Sequence, residues 1–131
     1  MVKLSDAQKE VLRALRSIDE YVVEGEAGNY KLRNHPCGKA VYPSTLQYLL
    51  KHGLVAELDA TEYAHVREEY RSKIIILEKD AERCIEYELF STLVHTANEL
   101  NNIQNLTQSR HWTTTPEGEE AVRNDAHDTG A

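Results

Sequence analysis

The stretch from Asp59 to Ser109 constrains the fold of this chain most, because it contains neither glycine nor proline. Apolar side chains recur in it every three or four residues, from Tyr63 to Leu106. This period is typical of an amphipathic helix, which repeats about every 3.6 residues. A continuous helix would be roughly 70 Å long at ~1.5 Å per residue, longer than a small domain can cover. The stretch is therefore predicted either to fold back as a helical hairpin or to pair with another chain.

The apolar stripe within this stretch is also a candidate dimer contact. Long exposed apolar stripes are rarely left uncovered, so we expect association of two copies. The alternative is that the stripe packs back on its own domain. A further local alternative is a strand over the β-branched run 73–77. The candidate interface residues are Ile74, Leu77, Ile85, Leu89, Leu93 and Leu100.

Shorter elements precede this stretch. Ser5 and Gln8 have the spacing of a capping box and predict a helix that begins at the N-terminal end of the chain. Residues 20–33 combine strand-forming side chains with two turn glycines and predict a β-hairpin. Residues 34–43 are predicted to be a loop. The apolar face of the first helix would consist of Val11, Leu12, Leu15 and Ile18.

A second short helix is predicted over residues 44–53, followed by a strand over 54–58. Ser44 is the expected N-cap with Gln47 as its capping-box partner, and Gly53 is expected to end the helix in a left-handed conformation. Its inner face would consist of Leu46, Leu49 and Leu50.

Residues 111–115, HWTTT, predict a strand that leads into another helix. Thr115 is the expected N-cap of that helix, and Pro116 fits its first position. Residues 124–131 contain no large apolar side chain and are expected to be disordered. The chain is thus predicted to be a single domain over residues 1–123, mainly α with a small β component.

This order of elements resembles the winged helix-turn-helix superfamily. The resemblance lies in LSDAQKEVLRAL at 4–15, STLQYLLKHGLVAEL at 44–58 and WTTTPEGEEAV at 112–122. It implies that strand 54–58 pairs with strand 111–115 and that 59–109 is a large helical insertion at the wing. Pairing across such an insertion is tolerable because the entropy cost of loop closure grows only slowly with length. Two features depart from the family pattern: a hairpin and loop replace the second helix of the turn motif, and the wing itself is replaced.

The resemblance further implies that helix 44–53 is a recognition helix that enters the major groove of duplex DNA. Four of its side chains would face the bases and three cations would contact phosphates. The net charge is −7, yet 30–56 contains no acidic residue. The expected function is a small dimeric transcriptional regulator of prokaryotic or phage type. The alternative is a protein-binding adaptor or inhibitor that does not bind DNA. The candidate DNA contacts are Thr45, Gln47, Tyr48 and Lys51 for bases, and Lys31, Arg33 and Lys39 for phosphates.

Other functional classes receive little support from the sequence. No nucleophile motif or glycine-rich phosphate loop is present, so an enzyme and a cofactor are not expected. His35 and Cys37 are a weak metal hint without further ligands at suitable spacing. No apolar run approaches the roughly 18 residues of a membrane helix, and no signal peptide is evident. We therefore expect a cytoplasmic protein with free thiols.

Overall fold

The computed structural model describes residues 3–25, 28–34 and 40–129. Two compact units are formed: Met1–Leu58 with Arg110–Ala131, here called the sheet unit, and Asp59–Ser109, here called the helical hairpin. In the order of the chain, the elements are α1 (Asp6–Ala14), β1 (Val22–Glu24), β2 (Tyr30–Leu32), β3 (Ala40–Val41), α2 (Pro43–Lys51), β4 (Val55–Glu57), α3 (Ala60–Glu86), α4 (Phe90–Leu106), β5 (His111–Thr114) and α5 (Pro116–Thr129). The chain is therefore mainly helical with a small sheet, as the sequence predicts.

The described strands of the sheet unit form one antiparallel sheet in the order β3-β2-β1-β5-β4. Val55 of β4 lies opposite Thr114 of β5, so the predicted pairing across the helical insertion is confirmed. Strand β5 also pairs with β1, where Val22 lies opposite Trp112. The predicted β-hairpin of β1 and β2 is confirmed as well. β3 is an addition, since residues 34–43 were expected to be a loop throughout.

A single apolar core stabilises the sheet unit. It brings α1, α2 and α5 against the sheet, and four of its side chains are fully buried. Burial of a Leu or Val side chain stabilises a fold by about 1.5–3 kcal/mol relative to exposure. These four are Leu12, Val22, Leu49 and Val122.

Helix α1 begins with the predicted capping box, in which Ser5 Oγ accepts from the Gln8 N–H and Gln8 Oε1 accepts from the Ser5 N–H. The prediction that Ile18 belongs to the inner face of this helix is wrong. The helix ends at Ala14, and Ile18 lies beyond it with 89% of its surface exposed. Asp19 then takes a positive φ of 61°, which turns the chain toward β1.

Helix α2 begins one residue earlier than predicted and without a side-chain cap. Tyr42 is the N-cap residue and Pro43 takes the first position, so Ser44 is not the cap. Proline is favoured there because its missing N–H would have had no helical partner. The inner face also differs: Leu50 is 37% exposed, whereas Thr45 turns inward and is 8% exposed.

The chain leaves the C-terminal end of α2 through the predicted left-handed glycine. Gly53 has φ of 70°, its N–H bonds to the Leu50 carbonyl, and the Leu54 N–H bonds to the Leu49 carbonyl at 2.9 Å. This pair of bonds is a Schellman motif, which satisfies two carbonyl groups that the helix leaves open. It directs the chain into β4, where Leu54 and Val55 are buried.

The start of α5 explains the Thr-Pro-Glu-Gly sequence. Thr115 Oγ1 accepts from the Gly118 N–H at 3.1 Å, as predicted for an N-cap, and donates to the Gly53 carbonyl at 2.7 Å. A Cβ at Gly118 would lie 2.0 Å from the Leu54 carbonyl oxygen, so only glycine allows this approach. The helix continues to Thr129 rather than ending before the predicted tail, since no glycine or proline interrupts 119–129.

The long insertion forms a helical hairpin of α3 and α4, which confirms one of the two predicted alternatives. Residues 73–77 lie inside α3, so the strand alternative is wrong. Asp59 and Glu62 form a capping box at the start of α3. The Tyr63 hydroxyl joins the start of α3 to the segment after α4, since it donates to the Ser109 carbonyl oxygen at 2.6 Å.

The bend between α3 and α4 is a second Schellman motif. The Glu88 N–H bonds to the Ile85 carbonyl, and the Leu89 N–H bonds to the Cys84 carbonyl at 2.8 Å. Here the left-handed position is occupied by Glu88, with φ of 57°. An L-residue with a Cβ is strained in this conformation, because the Cβ approaches the following carbonyl.

Candidate nucleic-acid interface

One side of α2 faces solvent and carries candidate reader side chains. The buried side chains of Leu46 and Leu49 fix the orientation of the helix in the sheet unit. On the other side, Gln47 and Lys51 are exposed. The structure therefore brings these two predicted DNA contacts to one solvent-facing surface, together with Tyr48, which is half-buried.

Tyr48 is less available for a base contact than the sequence suggests, because its hydroxyl already donates a hydrogen bond within the chain. Tyr48 Oη donates to the Lys3 carbonyl oxygen at 2.9 Å. Its ring also packs against the His52 imidazole, with the ring centroids 4.3 Å apart. Tyr48 thus links the start of the described chain to the exposed side of α2. No pattern in the sequence indicates this contact, because it joins residues 45 positions apart.

Thr45 does not lie with the other candidate readers. It is 8% exposed and faces a cavity of about 80 Å³ between α1, β2, β3 and the start of α2. The prediction that Thr45 shares the solvent face of Tyr48 is therefore wrong. Helical periodicity assigned it to that face, but in the fold Thr45 lines the same cavity as Val11 and Leu32. The cavity exceeds the ~30 Å³ that one water occupies in the liquid but is well below the ~150 Å³ of a protein cavity that holds benzene.

The three candidate phosphate contacts have different surroundings. Lys31 is exposed on β2, opposite Val23 and Ala40. The Arg33 guanidinium donates to the Asp19 carbonyl oxygen and lies over the Tyr21 ring, 4.7 Å from its centroid. Arg33 is thus engaged in holding the turn after α1.

The third candidate, Lys39, lies outside the described residues, as do His35 and Cys37, the weak metal hint. The predicted phosphate contact of Lys39 and the predicted pair of metal-type ligands therefore stay predictions from the sequence.

The end of the β4–β5 pair, where a wing loop is expected, is closed by an ion pair. Arg110 Nε and a terminal nitrogen donate to the two carboxylate oxygens of Glu57, at 3.0 and 2.6 Å. The hydrogen bonds from Arg110 hold the pKa of Glu57 below its ordinary value, against a smaller opposing effect of desolvation. The Arg110 guanidinium also lies 5.0 Å from the centroid of the Trp112 ring. This clamp fixes the strand ends from which the helical insertion leaves and returns.

The candidate dimer residues of the helical hairpin divide into two groups. Ile74, Leu77, Leu93 and Leu100 are half-buried. Ile85 and Leu89 are 61% and 49% exposed. These two belong to a set of exposed apolar side chains around the bend, here called the hairpin tip: Ile85, Tyr87, Leu89, Phe90 and Val94.

Among the described residues, His, Cys, Asp and Glu side chains nowhere form a group of three or more that could hold a metal ion. No described helix combines the length and apolar character required to cross a membrane. The thiol of Cys84 is free and buried in the helical hairpin.

Comparison with known proteins finds no relative of the chain. No protein-family model, no curated protein and no solved structure matches the chain.

Proposed function

We propose that the chain is a DNA-binding transcriptional regulator that reads duplex DNA with α2. The observation that carries this proposal is the exposed side of α2, where Gln47 and Lys51 project from a helix whose other side is fixed in the core. Amide and cationic side chains on a helix are the groups that read base edges in the major groove. The surrounding segment, 30–56, contains no acidic residue to repel phosphates.

The pairing of β4 with β5 supports the same proposal. In the winged-helix resemblance, the reader helix ends in Gly-Leu-Val and leads into a strand that pairs with the strand before Thr-Pro-Glu-Gly. Here α2 is followed by the left-handed Gly53, and β4 and β5 pair in the register Val55 with Thr114. The Thr115 hydroxyl bonds to the Gly53 carbonyl, so the end of α2 and the start of α5 are held together. The reader helix therefore has a rigid support.

The regulator is proposed to act as a dimer through the helical hairpin. The contact belongs at the hairpin tip rather than along the whole predicted stripe, because Leu77, Leu93 and Leu100 are half-buried within a single chain. Phe90 and Val94 are one helical turn apart on α4, and each is more than 60% exposed. A two-fold contact uses the same surface on both copies, which suits one compact apolar patch.

A protein-binding adaptor is the second candidate, and the hairpin tip favours it too. Five exposed apolar side chains within residues 85–94 suit a partner protein as well as a second copy. The net charge of −7 also opposes non-specific attraction to DNA. The regulator requires α2 to bind duplex DNA and the adaptor does not, so a measurement of duplex binding distinguishes the two functions.

The test of DNA binding is fluorescence anisotropy with duplex fragments from around the protein's own gene, against random duplex, at two salt concentrations. We expect at least one fragment to bind more tightly than random duplex. Lys51→Ala or Gln47→Ala should reduce that preference by about 1–3 kcal/mol if the side chain contacts a base. Ser17→Ala, an exposed change outside α2, is the control. A wild type that binds no fragment more tightly than random duplex at low salt would contradict the regulator and leave the adaptor.

The test of the dimer is sedimentation of Leu89→Lys beside Ile18→Lys. Both changes place a charge on an exposed apolar residue, but only Leu89 lies at the hairpin tip. We expect Leu89→Lys to weaken association about tenfold or more, which corresponds to ~1.4 kcal/mol. Ile18→Lys should leave it unchanged. A wild type that is monomeric at tens of micromolar contradicts the dimer.

A further inference from the structure

The contact between Tyr48 and Lys3 adds a residue to the proposed interface that no sequence pattern indicates. Lys3 precedes α1, and its backbone carbonyl accepts a hydrogen bond from the Tyr48 hydroxyl at 2.9 Å. Tyr48 lies on α2 between Gln47 and Lys51, the proposed readers. The segment before α1 therefore meets the edge of the reading surface.

The segment that carries Lys3 is also held by the two residues that follow it. Leu4 is half-buried and packs against the core of the sheet unit. Ser5 is fixed by the reciprocal capping box with Gln8. The backbone at Lys3 is therefore anchored beside Tyr48, and its side chain is exposed to solvent.

We infer that Lys3 contacts a DNA phosphate beside the bases read by α2, and that Tyr48 is the residue that positions it. Duplex DNA carries a dense row of phosphates along each edge of the major groove, and lysine binds them as a compact point charge. The Tyr48 hydroxyl donates its hydrogen bond to the Lys3 carbonyl oxygen. Tyr48 therefore orders the segment before α1 instead of reading a base. Its packing on His52 keeps the ring on the exposed side of α2.

One nearby charge works against this contact. Asp6 lies in the first turn of α1, three residues after Lys3, and is exposed. A carboxylate there stabilises the helix N-terminus but repels phosphate. The contact of Lys3 is thus expected to be strong only when the backbone holds the ammonium group on the α2 side of the segment. This requirement makes the Tyr48 hydroxyl matter for binding.

This inference rests on the proposed function, and its experiment separates the two. Duplex affinity is measured by anisotropy over a range of salt concentrations for the full chain. Lys3→Gln should lower the slope of log affinity against log salt by roughly one unit, because one phosphate contact is lost. Arg16→Gln removes the same charge beyond the other end of α1 and is the matched control. A Debye length of ~10 Å at 0.1 M salt keeps its effect on the slope small.

Two further variants test the roles of the side chain and of its support. Lys3→Arg should retain the slope of the wild type, because the charge is kept. Tyr48→Phe keeps the ring on His52 but loses the hydroxyl, and should lower affinity severalfold with part of the slope lost. Thermal unfolding of each variant checks that the folded fraction is unchanged. Lys3→Phe is unsuitable, since it changes bulk as well as charge.

The outcomes are distinct. A wild type without preferential duplex binding overturns the proposed function and this inference together. A wild type that binds, with Lys3→Gln and Arg16→Gln giving equal slopes, overturns only the inference about Lys3. If Lys3→Gln lowers the salt slope but Tyr48→Phe binds DNA like the wild type, the positioning role of Tyr48 is overturned.

Discussion

The sheet unit and the helical hairpin bury their apolar residues to different degrees. The sheet unit has a continuous core in which side chains from three helices and the sheet are buried. In the described hairpin only Val66, Tyr70, Cys84 and Thr96 are buried, although it is rich in Ile and Leu. Two helices offer each other one face apiece, whereas a sheet covered by helices encloses an interior. The difference explains why apolar side chains remain exposed at the hairpin tip.

The largest expected effect tests this difference directly. Leu49→Ala in the sheet unit should lower the free energy of unfolding by about 2–5 kcal/mol, because a fully buried leucine leaves a cavity. Leu77→Ala in the hairpin should cost less, about 1–2 kcal/mol, since the side chain is only half-buried. Chemical denaturation measures both. Equal losses would mean that the two units are packed equally well.

A second prediction concerns the tight approach in the sheet unit between α5 and Leu54, the residue before β4. Gly118→Ala should destabilise the protein by about 1–3 kcal/mol, because the added Cβ overlaps the Leu54 carbonyl oxygen and the backbone must shift. Intrinsic helix propensity alone predicts the opposite sign, a gain of roughly 1 kcal/mol. The sign of the change in melting temperature of Gly118→Ala therefore shows which effect is larger, the overlap of the Cβ or the helix propensity of alanine. A stabilised variant would show that the approach is looser than described.

The third prediction compares the two Schellman motifs, one in each unit. Gly53→Ala places a Cβ in a left-handed conformation and should cost about 1–2 kcal/mol, although the added atom meets no neighbour within 4 Å. Glu88→Gly removes the same strain at the bend and should stabilise the hairpin, by up to about 1 kcal/mol after the entropy of the unfolded glycine is subtracted. Urea denaturation of the two variants should thus give shifts of opposite sign.

The smallest expected effect lies at the strand ends that join the two units in sequence. Glu57 has a lowered pKa in the folded protein, so its pairing with Arg110 stabilises the fold above the ordinary carboxylate range. That contribution is lost as the pH falls through the lowered pKa. The pair is partly exposed, and we expect no more than about 1 kcal/mol at neutral pH. Glu57→Gln should therefore be less stable than the wild type near neutrality and equal to it in acid. A difference that persists once the Glu57 carboxylate is protonated would contradict this origin.

Local signals in the sequence predicted much of the fold because they act over a few residues. The Ser5–Gln8 capping box, the Thr115 cap and the left-handed Gly53 are all confirmed. Ser44 shows the limit of this reasoning. Its spacing to Gln47 satisfies the same pattern as Ser5, but Pro43 occupies the first helical position and Tyr42 is the N-cap residue. When two local signals compete, the sequence pattern does not decide between them.

The candidate interface was predictable in part. Helical periodicity identified α2 and placed Gln47 and Lys51 on its exposed side. It misplaced Thr45 and Leu50, whose exposure depends on where α1 and the sheet contact the helix. It gave no sign of the hydrogen bond between Tyr48 and Lys3, which joins distant parts of the chain. The roles of these residues in DNA binding remain predictions for the experiments above.

The sequence by itself determined most of the elements: helices from an apolar period and capping residues, strands from β-branched side chains, and breaks from Gly and Pro. These properties depend on neighbours within one or two helical turns. The sequence did not predict β3 or the position of the bend between α3 and α4. Only the tertiary structure decided that β5 lies between β1 and β4, that 59–109 closes on itself, and that Lys3 meets Tyr48. Such choices depend on which apolar surfaces are buried together. That free energy arises from contacts between distant segments and leaves no periodic trace along the chain.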